Sequence, residues 1–227
     1  FIWDKMGEWQ VNYRLEIFPF QWKIALSWIS GYFIFQLFNP VLFATEGAIV
    51  AGQMGMTLTV LNSIMALSFS WMTTKVPVYS ELIAKKDYNQ LDSLFNKALI
   101  QSAILNAFAL VVFFGVIFAL RYFNIKIRGK NFADRFLPYF PLFLMMIPIL
   151  LNHLIASWAT YMRCHKQEPM MLQSVVIGVC CCISTISLGH YSGVIGIIAG
   201  YLLLTFLSFI WTYFIFINKK KEWHNEK

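Results

Sequence analysis

Apolar residues along this chain gather into six long runs, 22–45, 57–74, 98–120, 136–162, 170–188 and 194–217, and the charges lie almost entirely between them. A bilayer core about 30 Å thick takes about 20 residues of helix to cross. A soluble fold of this size could not bury six such runs, so lipid must be their solvent. Within lipid, a spanning segment satisfies its own backbone only as a helix or a closed barrel. The pattern predicts an all-α, polytopic membrane protein whose six-transmembrane-helix bundle occupies 22–217.

The flanks read differently. In 1–21, Trp3, Met6, Trp9, Tyr13 and Ile17 recur at near-helical spacing against Asp4, Lys5, Glu8 and Arg14, ahead of Pro19. That is the pattern of an amphipathic linker helix lying on the membrane surface. Residues 218–227 form a basic tail. Between the second and third runs, Asp87 followed by Gln90 resembles a helix-capping pair that starts a helix running into the third span. Only 189–193 separate the fifth and sixth runs, which predicts a tight hairpin.

Composition and charge sharpen this picture. Hydrophobic residues make up 59% and charged residues 13% of the 227. A net charge of +7 could suit nucleic acid, but here its distribution reports topology. Lys5, Arg14, Lys23, Lys75, Lys85, Lys86, Lys97, Arg163, Lys166, Lys219, Lys220, Lys221 and Lys227 fall on one side of six crossings. Arg121, Lys126, Arg128, Lys130 and Arg135, all in one loop, fall on the other. Both ends are therefore expected in the cytoplasm, with no nucleic-acid partner, and the loop between the third and fourth runs dissents. The chain begins with Phe1, and no signal-peptide pattern precedes the first run, so a piece of a longer protein is expected. Cys164 and the run Cys180–Cys182 fit neither a disulfide framework nor a zinc site, and read as small packing residues. No metal site, cofactor motif or catalytic constellation emerges, so an enzyme is not expected.

Polar residues inside the spans carry the functional signal. Tyr32, Gln36, Asn39 and Glu46 share one face of the first, with Pro40 beside it as a kink. Thr59, Asn62, Ser63, Ser70 and Thr73 stripe the second. Asn152, His153, Ser157, Thr160 and Arg163 stripe the fourth, whose other half carries Pro138, Pro141 and Pro148. Ser174, Gly178, Cys181 and Thr185 stripe the fifth, and Gly196 and Gly200 form a GxxxG in the sixth. Small and weakly polar stripes suit close helix packing. They equally suit walls converging on a hydrated cavity, with Pro40, Pro141 and Pro148 as hinges. His153 is either a neutral, hydrogen-bonded imidazole or a proton-coupling or substrate group. Glu46 is either a solvated loop carboxylate or an ion-coupling site. Lys75 and Arg163 either snorkel to the headgroups or bind a phosphate entering from the cytoplasm.

Several stretches together resemble a family. Ala51-Gly-Gln-Met-Gly-Met56, Trp71-Met-Thr-Thr-Lys-Val-Pro77, Ile83-Ala-Lys-Lys-Asp-Tyr88, Tyr161-Met-Arg-Cys-His-Lys-Gln-Glu-Pro169 and the closing Lys-Lys-Lys-Glu-Trp-His224 look like bacterial polysaccharide flippases. These are the O-antigen and capsule members of the multidrug/oligosaccharidyl-lipid/polysaccharide (MOP, MATE-like) exporter superfamily. The resemblance implies one lobe, the C-terminal half, of a MATE-like transporter of twelve to fourteen helices in the bacterial inner membrane. Its implied activity is to move an undecaprenyl-pyrophosphate-linked oligosaccharide between leaflets for polysaccharide or lipopolysaccharide synthesis, by alternating access. Its implied partners are membrane lipids, a missing N-terminal lobe and polysaccharide polymerase machinery. Gln36, Asn39, Asn62, Asn152, His153, Lys75 and Arg163 would then face cavity or substrate, and Glu46 and His153 would be coupling candidates. A pyrophosphate needs a cationic passage, and no Lys or Arg sits mid-membrane here. The residues leave open a drug or cation exporter of the same superfamily, a membrane glycan polymerase or acyltransferase, and a structural subunit.

Overall fold

A computed structural model describes residues 18–124, 126–127 and 130–225. The expected linker falls mostly outside them, and its last residues already belong to the first helix, α1 (Phe18–Gln36). Then follow α2 (Phe38–Glu46), α3 (Ala48–Thr73), α4 (Val76–Ala84) and α5 (Tyr88–Tyr122). Two-residue strands β1 (Lys126–Ile127) and β2 (Lys130–Asn131) pair antiparallel and lead into a 3₁₀ turn, Phe132–Arg135. After α6 (Tyr139–Cys164) comes the helical stretch Met171–Asn225, broken at Gly193 with φ 55° and ψ −140°. Its limbs 171–192 and 194–225 are α7 and α8. They run antiparallel, as the bonds from Gln173 Nε2 to the Ser208 and Thr212 hydroxyls (2.9 and 2.8 Å) require.

The architecture is all-helical apart from that small ladder. Among the described residues, four helical segments are long and apolar enough to cross a membrane: Ala48–Ala84, Tyr88–Tyr122, Tyr139–Cys164 and Met171–His224, the last folding back on itself at Gly193. Local chemistry explains where the elements depart from the apolar runs. Pro40 has no N–H to donate to the Gln36 carbonyl, and the first run breaks into α1 and α2 at Leu37. Leu37 stays in the right-handed region (φ −80°, ψ −21°), so the break is a kink. The Asp87 carboxylate accepts from the Gln90 N–H at 3.1 Å, and the helix it caps continues for 35 residues. Residues 136–138 are extended rather than helical, with Pro138 as N-cap and Pro141 in the first turn of α6. A missing N–H costs no intrahelical bond there; only Pro148 lies in the helix interior. The basic tail to Asn225 simply continues α8.

α6 is the central helix, packed on α3, α4, α5 and the α7–α8 pair. In its most apolar window 44% of residues are buried, against 17% in α5, whose Ile100, Ile104, Phe108 and Val111 project outward where lipid would cover them. Two apolar clusters make the core. One, around Leu42, Met54, Leu61, Leu110, Leu142 and Ile197, fills the end that holds the Gly193 hairpin. The other, around Met72, Tyr79, Phe95, Tyr161, Phe216 and Trp223, fills the α4 end. Between them in sequence lie the buried polar residues Ser68, Ser102, Asn106, His153 and Ser157.

That layer is incompletely satisfied. Ser102 donates to the Leu99 carbonyl (3.1 Å), so its oxygen accepts from His153 Nε2–H at 3.0 Å. His153 Nδ1 is then left without a partner, as are both amide atoms of the fully buried Asn106. A buried polar group without a partner costs about 1–3 kcal/mol, whereas an apolar residue of like shape carries no such penalty. Asn106→Leu is therefore expected to stabilise the fold by about 1–2 kcal/mol. Thermal unfolding in detergent checks this, and a lower transition temperature would contradict it.

Candidate functional site

The kink at Leu37 divides what one helical face would have held together. Tyr32 and Gln36, on α1, turn toward α3 and α6 and line a groove of about 580 Å³. Asn62 of α3 and Asn152, Ala156, Ala159 and Arg163 of α6 complete its wall, with Trp28, Met170 and Ser174 at the margins. A smaller cavity of about 160 Å³ adjoins it, sharing Gly31, Asn152, Ile155 and Ser174 and reaching Tyr201 on α8. Asn152 belongs to both and donates through Nδ2 to the Tyr201 hydroxyl at 2.7 Å. Three carboxamides, two aromatic rings and one arginine thus line a shared space, and no carboxylate among the described residues lines it.

The other candidates lie elsewhere. Asn39 turns to α3, with its Nδ2 3.0 Å from where a side chain on Gly55 would begin, and its Oδ1 is buried without a partner. His153 faces away from the groove into the α5–α6 seam, bonded to Ser102 and edge-on to Phe69. Lys75 precedes α4 with its ammonium 6.0 Å from the Trp71 ring, outside the groove lining. Glu46 closes α2 at the opposite end of the bundle. There its Oε1 accepts from the Val194 N–H at 2.8 Å, at the first turn of α8. It also lines a cavity of about 270 Å³ with Gln53, Pro138, Pro141 and Ser192. A carboxylate on the first N–H of a helix is a cap, and in this conformation Glu46 serves that role. Cys180, Cys181 and Cys182 are free thiols pointing in different directions, and no cluster of metal-ligating residues occurs among the described residues.

Arg163 stands where two cavities meet. A second cavity of about 700 Å³, at the α4 end, is lined by Ser80, Tyr88, Thr160, Arg163, His165, Lys166 and Trp223 among others. Arg163 grips Glu168 in a two-pronged pair, Nε to Oε2 at 2.6 Å and Nη2 to Oε1 at 3.0 Å, and the Glu168 side chain is 1% exposed.

Sequence reasoning missed two groups. Arg121, one of the dissenting basic residues, lies over the Tyr139 ring and donates through Nη2 to the carbonyls of Phe136 and Leu137 at 3.2 and 2.9 Å. It fastens the loop before α6, and an arginine so used carries little topological information. The second group is a latch at the α4 end. Asp92 bridges Lys220 at 2.8 Å and accepts from the Tyr161 hydroxyl at 3.0 Å, while Trp223 stacks on His165 at 3.9 Å. The tail's run of three lysines ahead of Glu222, Trp223 and His224 was its only sequence signal.

His165 makes the latch pH-dependent. Its Nδ1–H donates to the Tyr161 carbonyl at 3.1 Å. Burial pushes the imidazole below its ordinary value; the Tyr161 carbonyl and Asp92 oppose this, and His224 adds to it. A histidine with a depressed folded pKa contributes stability that is complete above its unfolded pKa of 6.5 and is lost as pH falls below that value. Thermal stability is expected to fall on acidification through that range, and less so in His165→Gln. Parallel melts of the two proteins against pH decide it; identical slopes would rule it out.

Compared with protein-family models, with curated proteins and with solved structures, the chain matches none.

Proposed function

We propose that this chain forms one wall of a passage that moves a lipid-linked oligosaccharide across a bacterial inner membrane by alternating access, as one lobe of a MATE-like transporter. The observation that carries the reading is the groove of Gln36, Asn62 and Asn152 beside Trp28 and Tyr32, without a carboxylate among the described residues. Carboxamides donate and accept at once, which suits the hydroxyls of a neutral glycan. Aromatic faces offer an apolar, weakly negative surface for the C–H faces of sugar rings. An exporter of organic cations calls for a carboxylate among the lining residues, and among the described residues every lining side chain but Arg163 is neutral. The lipid tail would stay in the bilayer beside the groove while the glycan crosses along it.

The test uses the full transporter in proteoliposomes with a fluorescent undecaprenyl-pyrophosphate-linked oligosaccharide. Transfer between leaflets is expected, and Gln36→Leu with Asn62→Leu should slow it by about tenfold at unchanged protein level. Transport of an organic cation with no movement of the glycolipid would overturn the reading.

A further inference from the structure

We propose that Arg163 is a binding site for a phosphate-bearing anion, and that the Glu168 carboxylate occupies it in this conformation as an internal stand-in. The first observation is position. Arg163 is the residue common to the linings of the groove and of the cavity at the α4 end, so it borders both spaces. The second is geometry. A carboxylate holding Nε and Nη2 at 2.6 and 3.0 Å marks an arginine fork presented for bidentate recognition, and a phosphate offers paired oxygens to such a fork equally well. The third is asymmetry of exposure. The Arg163 side chain is 32% exposed while that of Glu168 is 1% exposed, so an incoming ligand reaches the arginine side chain before its enclosed partner.

The surroundings complete an anion site. Lys166 and Ser80 line the cavity at the α4 end, supplying an ammonium and a hydroxyl, whereas Thr160 spends its hydroxyl hydrogen on the Ala156 carbonyl and His165 its Nδ1–H on the Tyr161 carbonyl. The exchange breaks no covalent bond. One acceptor pair leaves the guanidinium, another replaces it, and the Glu168 loop shifts to release its carboxylate. Glu168 therefore sets the affinity by competition, and a weak ligand does not displace it. This deepens the proposed function by assigning the phosphate-binding residue of the same passage, and it rests on that reading only for the identity of the natural ligand.

The experiment measures binding to the full protein in phosphatidylcholine nanodiscs. Inorganic pyrophosphate is one probe, and phosphatidic acid included in the disc is the other. Removing the competitor with Glu168→Gln should tighten binding of one or both by about tenfold, and adding Arg163→Lys should abolish the gain, since lysine lacks the fork. A response to pyrophosphate alone assigns a soluble or substrate anion, and one to phosphatidic acid alone assigns a lipid headgroup; either supports the site. Unchanged affinity in Glu168→Gln, with a melting profile showing a folded protein, would overturn it. A gain that survives Arg163→Lys would overturn it too, because the anion would then sit elsewhere. Neither probe carries a glycan, so failure of oligosaccharide transport in proteoliposomes would count against the proposed function and leave this result standing.

Discussion

Replacing Gly193 by alanine is expected to destabilise the protein by about 2–4 kcal/mol, among the largest single effects available in this chain. Two independent costs meet at that position. With φ 55° and ψ −140°, the backbone occupies a region that residues with a Cβ avoid, at a cost of about 1–3 kcal/mol. The site where a Cβ would go is also filled by the carboxylate of Glu46. Alanine would push that carboxylate off the Val194 N–H and leave the first turn of α8 uncapped, a further loss of about 1 kcal/mol. Glu46→Gln separates the two. It keeps an acceptor at the same place, leaves the glycine conformation untouched, and should lose only the charge-assisted part of the cap. Thermal unfolding of the two variants in detergent checks the ranking. If Gly193→Ala melts no lower than Glu46→Gln, the turn is not held as described.

The same turn shows what could be read before the structure. A five-residue gap between two apolar runs demands a hairpin whatever the side chains are, and the demand that lipid be the solvent fixes the helical character of the runs around it. The Pro40 kink and the Asp87 cap were legible because each follows from one residue's own covalent chemistry. Rotation of a helix about its axis was not. Gln36 and Asn39 are three apart and share a face on any continuous helix, yet the break at Leu37 sends one to the groove and the other to Gly55. His153 and Asn152 are adjacent, so one faces the α5–α6 seam and the other the groove, and only packing decides which. Ser102 and Asn106 stand one turn apart on α5, a signal present in the sequence but diluted by the surrounding Leu, Ala and Val. Arg121 seemed to speak of topology because charge counting cannot see that its Nη2 donates to the carbonyls of the loop before α6.

If the chain works as proposed, Asn152→Leu is expected to lower the rate of glycolipid transfer by about tenfold to a hundredfold, the equivalent of about 1–3 kcal/mol. The residue belongs to the linings of both the groove and the smaller cavity, so a glycan moving along the proposed passage would meet it. Its Nδ2 is already committed to the Tyr201 hydroxyl at 2.7 Å, which orients the amide. Tyr201 is itself buried and sits edge-on to Phe38, 5.3 Å between ring centres. That chain of contacts ties the polar wall of the groove to α2 and α8, the elements that also hold the Glu46 cap. Tyr201→Phe removes the tie while preserving the ring packing, and leaves the Asn152 amide in place but free to turn. If orientation of the amide matters for handling the glycan, Tyr201→Phe should reproduce a fraction of the Asn152→Leu effect and add nothing in the double variant. Coupling of this kind is what a double-mutant cycle measures. Fully additive losses would place Tyr201 outside the transport function, and an Asn152→Leu protein that transfers glycolipid at the unmodified rate would remove the groove's amides from it altogether.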